Sequence, residues 1–355
     1  MRDQIYSPNQ DYKVLVFCAT YNQSKYIEDT LNGFAMQKTN FPYVCLVMDD
    51  CSTEGEQDVI ISWLKSNCDI AKAQYVELED SNVILVYHKE NENCSFAIYL
   101  LKRNLRGKPL KQLLISPWRQ RCKYEALCEG DDYWTDAYKL QFQYDFLESH
   151  PDYVFCCHRF KIYEQNRSRY LKEYGYNYYR DNENLEITVE IMTKTWVTQI
   201  LTTMYRIEAD RIVEESLKKY TAPRDWHYFY YWLKVGKGIS LNREMGVYRW
   251  NNGGIASSLS GYDRFKTQAD IMIEIYKYHS DDIYIRNKVR YNIIRKLRFM
   301  TPKYSNMAEL KEALSYCDSY QQYANAIISY FTPSWIIEIL SNNYRKRLLD
   351  KTEYK

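Results

Sequence analysis

The chain has 355 residues, of which 46% are hydrophobic and 26% charged, as in ordinary globular proteins. Its 11 Gly and 8 Pro are too few for a disordered or fibrous chain, and its formal charge of +2 provides no overall field that would favour nucleic acid. No apolar run approaches the roughly 18 residues of a transmembrane helix, and the polar N-terminus lacks the features of a secretory signal. We therefore exclude a membrane-spanning protein, a fibre and a small disulfide scaffold.

The first quarter of the chain alternates short apolar runs with segments of helical spacing. Residues 13–18 and 43–48 are nearly continuous apolar runs, typical of strands buried on both faces. Residues 26–37 and 59–64 carry apolar side chains at helical spacing, and 83–87 is a third predicted strand. This βαβαβ order predicts a parallel sheet with helices on its faces.

The carboxyl ends of the first two strands are the expected place for a ligand. They carry residues 19–21 and the pair Asp49 and Asp50. No glycine-rich dinucleotide motif and no P-loop occurs in the chain. A nucleotide would therefore be held mainly by side chains and a metal ion.

The segment 97–124 has eight positive side chains and no acidic one. We interpret it as a solvated helical face above an apolar stripe; the alternative is a basic lid for a diphosphate or a docking surface for anionic lipid. A strand is predicted at 124–128, a helix rather than a strand at 136–149, and a strand at 153–157. Residues 160–186 are polar and rich in Tyr, which indicates surface loops.

The remainder of the chain reads as a strand, two helices and a second extended segment, followed by helices. The predicted bounds are 202–207 for the strand, 212–220 and 225–235 for the helices, and 239–250 for the extended segment. From about 262 onward the chain reads as helices, with basic stretches at 286–303 and 335–349. None of the ten Cys forms a C-x-x-C pair or a zinc-finger spacing, so we expect unpaired thiols in a reducing compartment.

An acidic cluster directly follows the strand at 124–128. Glu129, Asp131 and Asp132 repel one another, which is costly unless a cation or hydrogen bonds compensate. Oxygen ligands suit Mg²⁺ or Mn²⁺, which take few protein carboxylates plus substrate phosphates. The alternative is a surface acidic turn in which an Asp caps a helix.

The end of the second strand extends this interpretation to a nucleotide. A carboxylate of Asp49 or Asp50 can accept the N3–H group of uracil or thymine, and Tyr21 can stack on a base. The residues at the strand ends therefore predict a nucleoside diphosphate held by side chains and a divalent metal.

Three segments in this order resemble family 2 glycosyltransferases of the GT-A fold. They are ATYNQSKYIEDTL at 19–31, VMDDCST at 47–53 and EGDDYW at 129–134. APRDW at 222–226 and GVYRWNNGG at 246–254 are similar to the acceptor-side motif and the following loop of bacterial members. The resemblance implies an α/β protein with a Rossmann-like mixed sheet flanked by helices. We expect a catalytic domain over 1–260, with a nucleotide-binding half at about 11–155 and an acceptor half at about 156–260, and a helical C-terminal extension over 261–355.

The resemblance assigns donor-binding roles to the first two segments. Thr20 and Tyr21 match the family's base-contacting start, and Asp50, with Asp49 beside it, matches the uridine-contacting carboxylate. Ala19 stands where some members have a hydroxyl group.

The third segment matches the family's D-x-D metal motif, with Glu129 at the first carboxylate and Asp131 at the second. Asp132 follows them. We assign the cluster to the donor and to Mn²⁺ or Mg²⁺, with Glu129 and Asp131 as donor contacts and Asp131 and Asp132 as the metal ligands.

Asp225 matches the family's general base, although Arg-Asp-Trp replaces the more usual pair of acids. His227 is an alternative base, and the other interpretation of this residue is a core histidine of an aromatic helix. Asn251 and its neighbours lack the His that some relatives carry before the glycines, so a phosphate or metal contact from that loop is not expected.

The implied reaction is transfer of a sugar from a nucleoside diphosphate, with UDP favoured, to an acceptor hydroxyl group by a single displacement with inversion. The implied acceptor is a glycan or a lipid-linked glycan in bacterial surface polysaccharide or glycoconjugate synthesis. We expect a cytoplasmic location, with peripheral contact to the membrane through the basic C-terminal helices and a homodimer as further hypotheses. Packing of those helices on the catalytic domain is the alternative to membrane contact.

Two other functions stay open at this point. A sugar nucleotidyltransferase would use the same fold, metal and nucleotide, but the loop after the first strand has Lys25 as its one basic residue and is not glycine-rich. A catalytically inactive GT-A domain that binds nucleotide or serves as a scaffold is the second alternative.

Overall fold

A computed structural model describes residues 11–105, 110–180, 183–251, 259, 261–299, 307–333, 335, 336 and 339 of the chain. Within these residues twelve strands belong to one sheet. Their bounds are β1 Val14–Thr20, β2 Tyr43–Asp49, β3 Gln74–Glu77, β4 Ser81–Tyr87, β5 Cys94–Leu101, β6 Tyr124–Leu127, β7 Tyr133–Trp134, β8 Tyr153–Glu164, β9 Arg169–Lys172, β10 Leu185–Ile187, β11 Met204–Arg206 and β12 Lys237–Trp250.

Helices cover the sheet and form the C-terminal part of the described chain. Their bounds are α1 Ile27–Ala35, α2 Glu56–Asn67, α3 Leu110–Arg119, α4 Lys139–Ser149, α5 Val189–Lys194, α6 Ile207–Leu217, α7 Asp225–Val235, α8 Gly261–Tyr278, α9 Ile283–Arg298, α10 Met307–Ser315 and α11 Tyr320–Phe331. No helix in the described ranges is both long and apolar enough to cross a bilayer.

The sheet is mixed and has the strand order β10-β12-β8-β11-β6-β1-β2-β5-β4-β3, with β7 on β12 and β9 on β8. The central strands β6, β1, β2 and β5 run parallel, and so do β8 and β12. The other pairs are antiparallel. This arrangement confirms an α/β protein with a mixed sheet flanked by helices and followed by C-terminal helices.

The central strands are apolar on both faces because both faces are covered. Val14 and Val16 of β1 pack into one hydrophobic cluster with α1, α2 and α4, whereas Leu15 packs with α3 on the opposite face. A third cluster joins β8, α6 and α7 to helices α8 to α11. The C-terminal helices therefore share a core with the second half of the sheet.

The prediction that 83–87 is the third strand of a parallel sheet is wrong. Residues 83–87 lie in β4, which pairs antiparallel with β5, and β5 is the strand that runs parallel to β2. Six residues join β4 to β5, which is too few for the crossover of about a dozen residues that parallel strands need. The segment after β4 therefore returns as a hairpin.

The prediction of surface loops over 160–186 is also wrong in part. β8 continues to Glu164, and β9 and β10 lie within the same segment. Phe160 and Ile162 are buried, and they alternate with more exposed Arg159 and Lys161. This alternation is a strand pattern with one face in the core.

The basic segment 97–124 contains both a strand and a helix. β5 extends to Leu101, and α3 begins at Leu110, while residues 106–109 lie outside the described ranges. Arg119, at the end of α3, is partly buried and pairs with Glu125 at 2.8 Å and with Asp210. This cation therefore links α3 to β6 and α6 and is not part of a lid over a ligand.

The basic residues of α9 fall into two sets. Arg286 and Arg290 pair with Asp318, and Lys296 pairs with Glu309 and Glu312. The second set comprises Lys288, Arg295 and Arg298. All ten cysteines are free, and most of the predicted helix at 335–349 lies outside the described residues.

Candidate active site

The three segments identified in the sequence meet at one edge of the sheet. β1 and β2 are in register, with Thr20 opposite Asp49, so both strands end at the same level. β6 runs parallel on the other side of β1, and the Gly130 N–H donates to the Ala19 carbonyl at 3.3 Å. The carboxyl edge of the sheet therefore carries all the donor-side residues that the sequence predicts.

A buried carboxylate that the sequence analysis did not identify shapes the loop after β1. Glu56, the first residue of α2, accepts hydrogen bonds from the Thr20 hydroxyl group, the Gln23 N–H at 2.8 Å and the Ser52 hydroxyl group at 2.7 Å. Three donors compensate the cost of burying this charge. A hint of this contact in the sequence is the position of Ser52, four residues before Glu56 in the segment that follows β2.

Tyr21 is the first residue of this loop and is 46% exposed, whereas Thr20 is buried. The ring of Tyr21 is thus available for stacking on a planar group at the sheet edge. Thr20 has a different role in the fold because its hydroxyl group is committed to Gln23 and Glu56.

The two acids after β2 have different surroundings. Asp49 is fully buried, and one of its oxygens accepts from the Ser52 N–H at 3.1 Å and from Gln57 at 2.5 Å. Asp50 retains 8% exposure and accepts from the Leu105 N–H at 2.6 Å. Of the pair, Asp50 has the surface that a ligand can reach.

Glu129, Asp131 and Asp132 form a compact carboxylate cluster. Their oxygens lie within 4.8 Å of one another, with Glu129 exposed, Asp131 half-buried and Asp132 buried. Burial, followed by repulsion from Asp131 and Glu129, raises the pKa of Asp132 well above its ordinary value. Burial also raises the pKa of Asp131. The fold thus holds three acids together at an electrostatic cost.

Arg249 of β12 holds this cluster in place. Its backbone N–H donates to Asp132 Oδ1 at 2.8 Å, and its Nε donates to the Asp131 carbonyl at 2.8 Å. The guanidinium group also pairs with Asp29 at 2.7 Å and lies 4.7 Å from the ring centre of Tyr26. Because the guanidinium contacts the backbone of the cluster, the carboxylates of Asp131 and Asp132 keep oxygens for another cation.

Asn251, directly after β12, touches the cluster as well. Its side-chain amide donates to Asp131 Oδ2 at 3.0 Å, and its buried Oδ1 has no hydrogen-bond partner among the described residues. Residues 252–254 of this loop lie outside the described chain.

Gly130 lies where a side chain would not fit. A Cβ atom there would be 2.2 Å from the Thr20 hydroxyl oxygen and 2.5 Å from Oε1 of Gln23. The close approach of the acidic loop to the β1 loop therefore depends on glycine. The Thr30 hydroxyl group fixes the same loop by donating to the carbonyls of Gly130 at 3.0 Å and Asp132 at 2.6 Å.

Asp225 is the first residue of α7 and has an exposed side chain. Surrounding protein nevertheless displaces water from around it and raises the pKa of its carboxyl group. An exposed carboxylate with a raised pKa suits a base that receives a proton. Asp225 makes no direct contact with the carboxylate cluster in the described chain.

His227 is fully buried. Its Nδ1 accepts the Arg224 N–H at 3.1 Å, so it caps the start of α7, and burial lowers its pKa. These contacts agree with the interpretation of a core histidine and leave Asp225 as the exposed acid of this helix start.

Residues 15–204 match glycosyl transferase family 2. An uncharacterised protein of Mycobacterium tuberculosis, Rv1520, is 27% identical over 236 residues, which are 66% of this chain and 58% of that protein. The putative teichuronic acid biosynthesis glycosyltransferase TuaG of Bacillus subtilis is 28% identical over 134 residues, which are 38% of this chain and 41% of TuaG. The matched part of the chain thus spans little more than half of Rv1520 and less than half of TuaG.

Solved structures share the fold at low identity. The S. aureus TarS 1–349 structure in complex with UDP-GlcNAc has a TM-score of 0.53 and 17% identity, covering 90% of this chain and 80% of that one. The mannosyltransferase PcManGT from Pyrobaculum calidifontis, in complex with GDP-Man and Mn²⁺, has a TM-score of 0.50 and 13% identity, covering 98% and 88%. These similarities confirm the GT-A fold that the three segments predict.

Proposed function

Because the chain belongs to glycosyl transferase family 2, we propose that it transfers a sugar from a nucleoside diphosphate to an acceptor hydroxyl group. The observation that carries the proposal is the carboxylate cluster of Glu129, Asp131 and Asp132 at the sheet edge, beside Tyr21 and Asp50. TarS with UDP-GlcNAc and PcManGT with GDP-Man and Mn²⁺ support a nucleotide-sugar donor and a divalent metal. We assign the catalytic domain to 1–260 and a helical extension to 261–355.

The cluster fits a divalent cation. Three hard oxygen donors lie within 4.8 Å of one another, and burial together with their mutual repulsion raises the pKa of Asp132, so a dication would relieve a cost already present in the fold. Asp131 and Asp132 would hold the ion. When bound, the ion neutralises the charge that develops on the diphosphate leaving group.

The residues at the sheet edge have separate proposed roles in binding the donor. Tyr21 stacks on the base, and Asp50 accepts its N3–H group, which favours uridine. Glu129 and Asp131, two members of the carboxylate cluster, also contact the donor. Thr20 and Asp49 are buried, so we propose that they act on the donor mainly by fixing the two loops that contact it.

Asp225 is the proposed general base. It takes the proton of the acceptor hydroxyl group as that oxygen attacks the anomeric carbon, and the diphosphate leaves from the opposite face, which inverts the configuration. One catalytic carboxylate suffices because the leaving group needs no protonation by an acid. We propose a surface glycan or a lipid-linked glycan of a bacterium as the acceptor.

Donor turnover tests the proposal. The protein is incubated with UDP-glucose, UDP-GlcNAc or GDP-mannose, Mn²⁺ and a panel of oligosaccharide acceptors, and release of the nucleoside diphosphate is measured together with the anomeric configuration of the glycoside product by NMR. We expect release from one donor class with inversion. Asp225→Asn should lower turnover at least 100-fold and leave nucleotide affinity within about twofold, whereas Asp152→Asn, at an exposed ion pair with Lys237, should change neither. Full turnover by Asp225→Asn, or a product with retained configuration, would contradict the mechanism.

A further inference from the structure

Helix α9 carries a stripe of cationic and aromatic side chains on one face. Lys288, Tyr291, Arg295 and Arg298 follow one another at intervals of three, four and three residues, which places them in one row along a helix. Ten residues of helix span about 15 Å. We call the three cations, Lys288, Arg295 and Arg298, the basic stripe.

Among the described residues, the basic stripe has no carboxylate that pairs with it. In the described chain none of its members forms an ion pair with an acid: Lys288 donates to the Thr193 carbonyl at 2.8 Å, and Arg298 donates to the Ser329 hydroxyl group at 2.9 Å. The Nε of Arg295 is buried without a hydrogen-bond partner. The other cations of the helix between 286 and 298 are all paired with Asp or Glu. Within the described chain, the cations of α9 that lack a carboxylate partner thus lie on one face of the helix.

Burial and the nearness of like charges both disfavour the charged forms in this row. Burial, and then the charge of Arg295, lowers the pKa of Lys288 to about 8. The same two causes lower the pKa of Arg298. An anion bound along the row would relieve this repulsion and gain charge-assisted hydrogen bonds.

Aromatic rings accompany the stripe and connect it to the proposed base. The Nζ of Lys288 lies 5.8 Å from the ring centre of Trp226, which is the residue after Asp225, and 5.3 Å from that of Tyr291. Trp226 packs against Trp196 with ring centres 5.0 Å apart, and Tyr291 is 49% exposed. The exposed ring of Tyr291 and the partly buried ring of Trp226 can stack on sugar rings, and the cations beside them can pair with anionic groups.

We propose that the basic stripe and the rings of Trp226 and Tyr291 form an acceptor subsite for a glycan that bears phosphate or carboxylate groups. The inference rests on the proposed function, because it places the acceptor next to Asp225. It names the class of acceptor, an anionic glycan that runs along α9 away from the reacting hydroxyl group. It also gives the C-terminal helices a role in substrate binding.

Binding of defined oligosaccharides without any donor tests the subsite. Calorimetric titration at low salt compares oligogalacturonate, a phosphorylated maltooligosaccharide and the unmodified maltooligosaccharide of equal length. The stripe variant carries Lys288→Gln, Arg295→Gln and Arg298→Gln. The control variant loses three cations elsewhere on the C-terminal helices, through Arg286→Gln, Arg290→Gln and Lys311→Gln.

We expect at least one anionic glycan to bind at least tenfold more tightly than the neutral one, with an affinity that falls as salt is added. The stripe variant should lose at least tenfold of that affinity, and the control variant less than twofold. Preference for the phosphorylated or the carboxylated glycan identifies the anionic group. If the stripe variant does not fold, the single variants Lys288→Gln and Arg295→Gln should each lose about threefold.

Equal binding of all three glycans, no binding of either anionic glycan, or equal losses in the stripe and control variants would overturn the subsite. A separate titration with UDP and Mn²⁺ distinguishes this failure from failure of the proposed function. Loss of nucleotide binding with intact anionic-glycan binding would count against the proposed function alone. Normal nucleotide binding without glycan binding would count against the subsite alone.

Discussion

Lys139 gives the sharpest test of the energetics of this fold. Its side chain is fully buried at the start of α4, its Nζ has no hydrogen-bond partner, and it lies 3.6 Å from the ring centre of Trp134. Burial lowers its pKa from 10.5 to about 7. Each pKa unit corresponds to about 1.4 kcal/mol, so at pH 7 the buried ammonium group costs about 4 kcal/mol of stability.

Lys139→Met should therefore stabilise the protein by up to about 4 kcal/mol at pH 7, because Met fills a similar volume without a charge. The folded pKa lies below the unfolded one, so between the two values the unfolded chain binds one more proton, and the stability of the wild type rises with pH. The advantage of the Met variant should consequently shrink by about 2–3 kcal/mol between pH 6 and pH 9. Chemical denaturation of both proteins at several pH values measures this difference.

Neighbouring groups do not titrate in this window. Burial raises the pKa of the thiols of Cys128, Cys156 and Cys157 above their ordinary range, and burial lowers the pKa of His158 to about 3. Lys65→Met, at an exposed position of α2, is the control and should show no pH-dependent difference from the wild type. A stability difference for Lys139→Met that stays constant from pH 6 to pH 9, or a loss of stability at pH 7, would refute the reasoning.

Three further substitutions test how the donor site is held. Gly130→Ala places a methyl group 2.2 Å from the Thr20 hydroxyl oxygen, so it should cost about 1–3 kcal/mol of unfolding free energy and weaken UDP–Mn²⁺ binding, as measured by denaturation and calorimetry; unchanged binding would disprove the close approach. Glu56→Ala leaves three donors without their acceptor and should cost about 2–4 kcal/mol by the same assay, with a Thr20→Val variant expected to lose less. Arg249→Met removes the bond to Asp29 and should lower Mn²⁺ affinity at least tenfold without unfolding the protein. An Arg249→Lys variant that binds Mn²⁺ as poorly as Arg249→Met would show that the guanidinium geometry matters.

Local patterns predicted the elements that are covered on both sides or have strong periodicity. The predicted bounds of α7, 225–235, agree with the structure, and β1 and β2 were found because continuous apolar runs mark strands buried on both faces. The helix at 136–149 was correctly preferred over a strand and begins at Lys139. These elements depend on short-range information, which one sequence contains.

Pairing direction and long-range contacts could not be predicted in this way. An apolar run fits a parallel or an antiparallel strand equally well, so β4 was mistaken for the third parallel strand and β5 was not recognised. Arg249 reaches Asp132 across 117 positions of sequence, and Glu56 reaches Thr20 across 36. Such contacts depend on how the strands are ordered, which local spacing does not encode.

The positions of the acidic residues were predicted, but not their individual environments. The strand-end rule correctly placed Thr20, Asp49 and the cluster at one edge of the sheet. It did not distinguish Asp49, which is buried and fixes a turn, from Asp50, which keeps accessible surface. The roles of these residues and of Asp225 stay proposals that substitution can test.

The measurement that tests the central claim most directly is thermal unfolding with UDP, GDP, dTDP or CMP, each in the presence of Mn²⁺ or EDTA. A ligand at about 100 times its dissociation constant adds roughly 2.7 kcal/mol of stability. We predict that UDP stabilises the protein only when Mn²⁺ is present, and that Asp131→Asn abolishes this effect. No stabilisation by any nucleotide, or an equal shift with EDTA, would contradict a metal-dependent nucleotide site at the carboxyl edge of the sheet.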